Sequence, residues 1–98
     1  MKVNWDRRLQ KDLDKLNIIQ RSRVDSTVEL FKDRAFLLSK KDLKKISKGV
    51  WELRQGNIRL LFGMIGNEAI IVNIFVKKSQ KTPLKEIKLA ERRLQEYL

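Results

Sequence analysis

The chain contains no cysteine and no histidine, a single proline, four glycines, and few aromatics: two Trp, one Tyr and four Phe in 98 residues. Without cysteine there is no disulfide framework, thiolate metal site or thiol nucleophile, which fits a reducing, cytoplasmic setting. Without histidine there is no imidazole ligand, no triad base and no imidazole acid/base pair. Any catalysis must therefore run on Lys, Arg, Glu, Asp or Tyr, and neither a metal nor another cofactor is expected. The longest apolar run, "AIIVNIFV", is too short to span a bilayer, and the amino terminus lacks the apolar core of a signal peptide, so no membrane role is expected.

What is abundant is positive charge. Lys and Arg number 23 against 12 Asp and Glu, a net charge of +11. Residues 1–39 contribute +3 (nine basic, six acidic), residues 40–81 +7 (ten against three) and residues 82–98 +1 (four against three). An excess of this size, concentrated in the middle of the chain, points to nucleic acid or a strongly acidic protein as partner. With 42% hydrophobic residues and 36% charged, the composition is that of one folded domain over residues 1–98 and not of a disordered chain.

The first half predicts two amphipathic helices after a very short extended piece. In "NWDRRLQKDLDKLNII", Trp5, Leu9, Leu13 and Leu16 form one helical stripe that Asn4 or Asp6 could cap. In "RVDSTVELFKDRAFLL", Val24, Val28, Phe31, Ala35 and Leu38 form a second. A polar connection near residues 20–23 would join them into a hairpin of helices. "SKKDLKKISKG" is expected to be a basic linker anchored by Leu43 and Ile46.

From Val50 the period becomes two. "VWELR", "NIRLLFGMI" and "EAIIVNIFV", separated by "QG" and "GN", predict an antiparallel meander. Ile58, Leu60 and Phe62 share one face of the second strand, and Ile70, Val72, Ile74 and Val76 one face of the third. Thr82 as N-cap and Pro83 as first helical residue then open a final helix marked by Leu84, Ile87, Ala90, Glu91 and Leu94. The expected fold class is α+β: an N-terminal helical hairpin packed on a three- to four-stranded antiparallel sheet, followed by a C-terminal helix.

Arg54, Arg59 and Lys77 are cations set in or at the end of strands whose neighbours are aliphatic, and like charges side by side on a sheet repel. If the hairpin registers bring them together with Lys78 and Lys81, they form a cationic patch suited to a polyanion. Taken singly, each is as well explained by a solvated face with Glu52 as ion-pair partner. The run of Lys40, Lys41, Lys44, Lys45 and Lys48 suggests a mobile phosphate-contacting segment, and Trp5 and Trp51 suggest packing residues.

The stretch "GVWELRQGNIRLLFGMIGNEAIIVNIFVKKSQKTPLKEIKLAERRLQEY" resembles the C-terminal half of the RelE/ParE superfamily of type II toxin-antitoxin toxins, and most closely its HigB-type, phage Gp49-like branch. The resemblance rests on Glu-Leu-Arg in the first strand, an Arg in the second, Phe-x-Lys-Lys ending the third, and Lys-Thr-Pro opening a helix. It implies a RelE-like fold and a toxin that acts as a ribosome-dependent mRNA endonuclease without metal or cofactor. The RNA's own 2′-hydroxyl would attack the adjacent phosphate. The resemblance also implies a cognate antitoxin, with a helix-turn-helix or acidic segment, as partner beside mRNA and the ribosome. Carried over residue by residue, it places catalytic roles on Arg54, Arg59, Lys77 and Lys78, with Lys81 next to them as an RNA contact and Tyr97 as a further proton carrier; Lys44, Lys45 and Lys48 are expected as RNA contacts from the basic run alone. Two rivals stand beside it: a gyrase-poisoning ParE-like toxin, and an RNA- or ribosome-binding protein without activity.

Overall fold

The computed structural model describes residues 1–98. In chain order the elements are β1 (Lys2–Trp5), a 3₁₀ turn (Arg7–Leu9), α1 (Gln10–Asp14), α2 (Ile18–Arg34), a second 3₁₀ turn (Ala35–Leu37), β2 (Leu43–Ser47), β3 (Val50–Gln55), β4 (Ile58–Ile65), β5 (Glu68–Val76) and α3 (Leu84–Gln95). The strands form one five-stranded sheet in the order β1-β5-β4-β3-β2, with β1 parallel to β5 and every other pair antiparallel.

The α+β class and the β3–β4–β5 meander match the sequence expectation, whereas the number of strands exceeds it. The extra two are edge strands. β1 includes Trp5, which the periodicity placed on a helix; its side chain still packs on the same apolar cluster as Leu9 and Leu13. β2 lies in the presumed basic linker, where Lys44 and Lys45 mask the alternation. Lysine on an exposed edge blunts strand-to-strand aggregation, which reconciles the charge with the conformation. The helical connection also falls earlier than expected, over residues 15–17. Asn17 and Gln20 form a reciprocal capping box (2.8 and 3.0 Å) that starts α2 at Ile18.

Both faces of the sheet are covered. On one, Leu9 and Leu13 with Val24, Val28 and Phe31 of α2 pack against Leu53, Leu60 and Phe62. On the other, Ala90 and Leu94 of α3 pack against Val50, Leu61, Ile70 and Val72. The strict alternation expected for β5 breaks at a bulge. Leu61 pairs with Asn73 and Phe62 with Ile71, so Val72 is an extra residue; Ile70 and Val72 face α3 while Ile74 faces α2. The carbonyl freed at Val72 accepts a hydrogen bond from the Arg93 guanidinium of α3 at 2.7 Å.

Two two-residue turns set the meander's register. Gln55 pairs with Ile58 around Gly56–Asn57, and Ile65 with Glu68 around Gly66–Asn67. The leading glycines have φ of 58° and 61°, as a type II′ turn needs. Past the C-terminal end of α3, Tyr97 donates to Asp6 Oδ2 (2.9 Å) while Arg8 donates to both Asp6 oxygens (2.9 and 2.7 Å) and to Glu96 (3.0 Å). Hydrogen bonding from Arg8 holds the Asp6 carboxyl well below the usual aspartate range, and burial together with the bond to Asp6 pushes the Tyr97 phenol up.

Two expectations follow from this packing. A Cβ at Gly63 would lie 2.7 and 2.8 Å from the Leu94 methyls and 2.9 Å from the Gly49 carbonyl, which is backbone and cannot swing away. Gly63→Ala should therefore cost about 1–3 kcal/mol by urea unfolding; an unchanged midpoint would mean that α3 does not pack this closely. For Asp6, the folded pKa lies below the unfolded one, so its contribution is complete above the ordinary aspartate value of about 3.9 and is lost as pH falls through and below it. The Arg8 side chain is 40% exposed, and solvent screens part of that pair. Asp6→Asn should lower stability at pH 7 by about 1–3 kcal/mol and flatten the acid limb below pH ~4. An acid limb as steep as wild type would rule this clamp out.

Candidate functional site

At the opposite end of α3 from Tyr97, three elements converge on a buried carboxylate. Glu52, in the middle of β3, has a fully buried side chain. Alternation puts it with Val50 and Arg54 on the α3 face, and the two-residue turn at Gly56–Asn57 pairs Arg54 directly with Arg59 across the hairpin. Arg54 Nε donates to Glu52 Oε1 at 2.9 Å, and Arg59 Nε stands 3.6 Å from the same oxygen. The other carboxylate oxygen accepts a hydrogen bond from the Thr82 hydroxyl. Thr82 thus serves the strand and not the helix: α3 begins after Pro83 with no side-chain cap. The expected Thr82 cap is corrected on this point, because its hydroxyl is already engaged with Glu52.

The two arginines are held differently. Arg54 makes one side-chain hydrogen bond, through Nε, so both of its terminal nitrogens are free. Arg59 donates from one terminal nitrogen to the carbonyls of Gly56 (2.6 Å) and Ile58 (3.1 Å), and its buried Nε has no hydrogen-bond partner. Its side chain is 12% exposed against 26% for Arg54. Burial pushes the Arg59 guanidinium down from the usual arginine range, the Glu52 charge opposes this, and the Arg54 charge adds to it. A guanidinium titrates so high that Arg59 stays charged at neutral pH despite this.

The remaining candidates divide by position. The Lys77 amide bonds to the Asn57 carbonyl at 2.7 Å, which continues the β4–β5 ladder past Phe75 and Arg59 and keeps Lys77 beside the arginine pair. Lys78 and Lys81 are exposed in the loop that leads to Thr82. Lys44 is the cross-strand partner of Glu52 and stands on the same face. Lys45 turns to the other face, 6.0 Å above the Trp51 ring. Lys48 sits in the β2–β3 turn by the far half of α3, near Lys88 and Arg92. Tyr97 is not part of the cluster: it lies past the last residue of a 12-residue helix, about 18 Å long, whose first turn adjoins Thr82.

Thus Arg54, Arg59, Lys77 and Lys44 are brought together, and Lys45, Lys48 and Tyr97 are not. The expected ion pair of Glu52 with the arginines is present, but the carboxylate is buried and not on a solvated face. The bond from Thr82 to Glu52 had no signal in the sequence, because the two are 30 residues apart. Trp51 and Phe62 pack on the α2 side with Phe36, which leaves Phe75, the half-buried cross-strand partner of Arg59, as the strand aromatic on the arginine face. No group of three or more Asp or Glu side chains is placed to hold a metal ion, and no helix is long and apolar enough to cross a membrane.

Comparison with solved structures finds the same fold. One match is a chain of the RelB-RelE antitoxin-toxin complex from Methanococcus jannaschii, with TM-score 0.59, 17% identity, and 96% of each chain covered. Another is a chain of the toxin-antitoxin complex RelBE2 from Mycobacterium tuberculosis, with TM-score 0.54, 21% identity, and coverage of 80% of this chain and 92% of that one. No curated protein matches the sequence. The family model described as "Phage derived protein Gp49-like (DUF891)" matches residues 11–95, all but the first ten and last three positions, and the chain belongs to that family.

Proposed function

We propose that this protein is the toxin of a type II toxin-antitoxin pair, of the HigB type, and that it cuts mRNA on the ribosome in the cytoplasm. The observation that carries this is the cross-strand Arg54–Arg59 pair, flanked by Lys77 and Lys44, on a fold shared with chains from two toxin-antitoxin complexes. Its partners are then mRNA, the ribosome and an antitoxin with an acidic or helix-turn-helix segment, the first and last drawn by the +11 charge.

Cleavage needs no water or metal. The 2′-oxygen attacks the adjacent phosphorus, the bond from phosphorus to the 5′-oxygen breaks, and the products are a 2′,3′-cyclic phosphate and a 5′-hydroxyl. One proton leaves the attacking hydroxyl and one reaches the departing oxygen. The protein must align these groups and stabilise the added charge on the phosphorane. Arg54 suits the second task, because its two free terminal nitrogens can grip a pair of phosphate oxygens. Arg59 adds its one uncommitted terminal nitrogen. The uncapped N-terminus of α3, beside Thr82, adds positive potential. Lys77 and Lys78 are the proposed proton carriers, and Lys44 and Lys81 contact flanking phosphates. Tyr97 is assigned the structural bond to Asp6 instead.

The cationic face offers one strand aromatic, the half-buried Phe75, which weighs against a binding module for single-stranded RNA that stacks successive bases on exposed rings. Induced expression followed by mapping of mRNA ends, with and without ribosomes, tests the proposal. Arg59→Ala should lower the cleavage rate about 100-fold while RNA affinity changes only a few-fold, as for an interaction strengthened in the transition state. Equal losses in both would reduce the patch to a binding surface. Intact transcripts with DNA damage would instead favour gyrase as the target.

A further inference from the structure

We propose that Glu52 is a positioning residue, which aims Arg54 and Arg59 at the reacting phosphate and fixes the lysine loop beside them. This rests on the nuclease proposal above and names what holds its site in shape. A carboxylate is an odd occupant of a surface meant to attract RNA, since it cancels one of the cations around it. It is also costly to bury, and Glu52 is fully buried. Charge attraction alone gives no reason for it.

Aim does. The Glu52 oxygen that binds Arg54 Nε takes one side of that guanidinium and leaves both terminal nitrogens without a hydrogen-bond partner. The same oxygen draws Arg59 Nε to 3.6 Å while the Gly56 and Ile58 carbonyls hold one terminal nitrogen, so the other terminal nitrogen, with two N–H groups, is left to the substrate. The second oxygen takes the Thr82 hydroxyl and anchors the far end of the Lys77–Lys81 segment and the start of α3. One carboxylate thus sets the relative placement of groups from β3, β4 and the loop after β5.

The two explanations of Glu52 predict opposite signs. In Glu52→Gln the site gains one net positive charge, so attraction alone makes single-stranded RNA bind as well or a few-fold tighter. Misaimed arginines make cleavage slower, by about 100-fold where a displacement near 1 Å results. The expected result is therefore lower kcat with equal or lower KM. Glu52→Asp keeps the charge, shortens the reach, and should behave likewise, while Thr82→Val keeps every charge and should lose about 10-fold in kcat. Thr82→Val also serves if the Glu52 variants fail to fold by thermal melting. A kcat within threefold of wild type in these variants, or kcat and affinity falling in step, overturns the proposal.

Arginine NMR signals give a readout that needs no activity. The Arg54 Nε proton should exchange slowly in the wild type and in Thr82→Val and fast in Glu52→Ala, which leaves it no acceptor; identical exchange in Glu52→Ala and wild type refutes the positioning role. A wild-type chain that cuts no RNA, with or without ribosomes, sinks the nuclease proposal separately. The NMR comparison then still decides whether Glu52 holds the arginines.

Discussion

A fully buried carboxylate in the centre of a sheet constrains everything around it. Taking an ion out of water costs several kcal/mol, and the cost is offset only when partners with good geometry are supplied. Glu52 has no neighbour in its own strand that suffices. It needs Arg54 two residues on, Arg59 from the next strand, and Thr82 from beyond the third. Those partners arrive only if the β3–β4 register is the one observed: a slip of one residue would turn Arg59 to the α2 side and leave a charge inside the apolar cluster. The Gly56–Asn57 turn, which fixes that register, therefore supports both the fold and the cationic face.

α3 is tied at both ends by the same device. At its start Thr82 reaches Glu52; past its end Tyr97 reaches Asp6, and Arg8 of the N-terminal turn bonds both Asp6 and Glu96. Between these points it offers only a narrow apolar stripe, with Ala90 and Leu94 buried, and Gly63 must stay bare to let Leu94 approach. A helix held by so little burial depends on its terminal anchors. This assigns Tyr97 a purpose that its place in the sequence, near the end of the final helix, did not suggest.

The meander was legible because turn chemistry and period two agree there: "QGN" and "IGNE" each place glycine first in a two-residue turn. The final helix and both arginines were legible for similar local reasons. β1 and β2 were not, because strands of four and five residues at sheet edges carry too few buried positions for the alternation to register, and in β2 lysines occupy the exposed ones. The start of α2 was misplaced because its Asn17–Gln20 capping box was overlooked in favour of a run of polar residues further on. The β5 bulge left no local mark: "IIVNIF" reads as unbroken strand, and the extra residue shows only in the pairing of Leu61 with Asn73 and Phe62 with Ile71 and in Ile74 turning to the α2 side. The pairing of Arg54 with Arg59 was in fact available, since a two-residue loop at Gly56–Asn57 forces it.

That pairing also explains why two like charges can face each other on a sheet. Directly opposed cations repel, and nothing in the apolar surroundings relieves them. Glu52 shares one oxygen between them, close enough to Arg54 for a hydrogen bond and too far from Arg59 for one. The compensation is therefore unequal, and the remainder is the unpartnered Nε of Arg59. An arginine with an unsatisfied donor and a guanidinium disfavoured by burial is a group whose charge is incompletely balanced by the protein itself. Under the proposed nuclease reading, a phosphate at the uncommitted terminal nitrogen of Arg59 would supply the missing negative charge and the phosphorane more of it, whereas a second full carboxylate would have satisfied Arg59 and removed that bias.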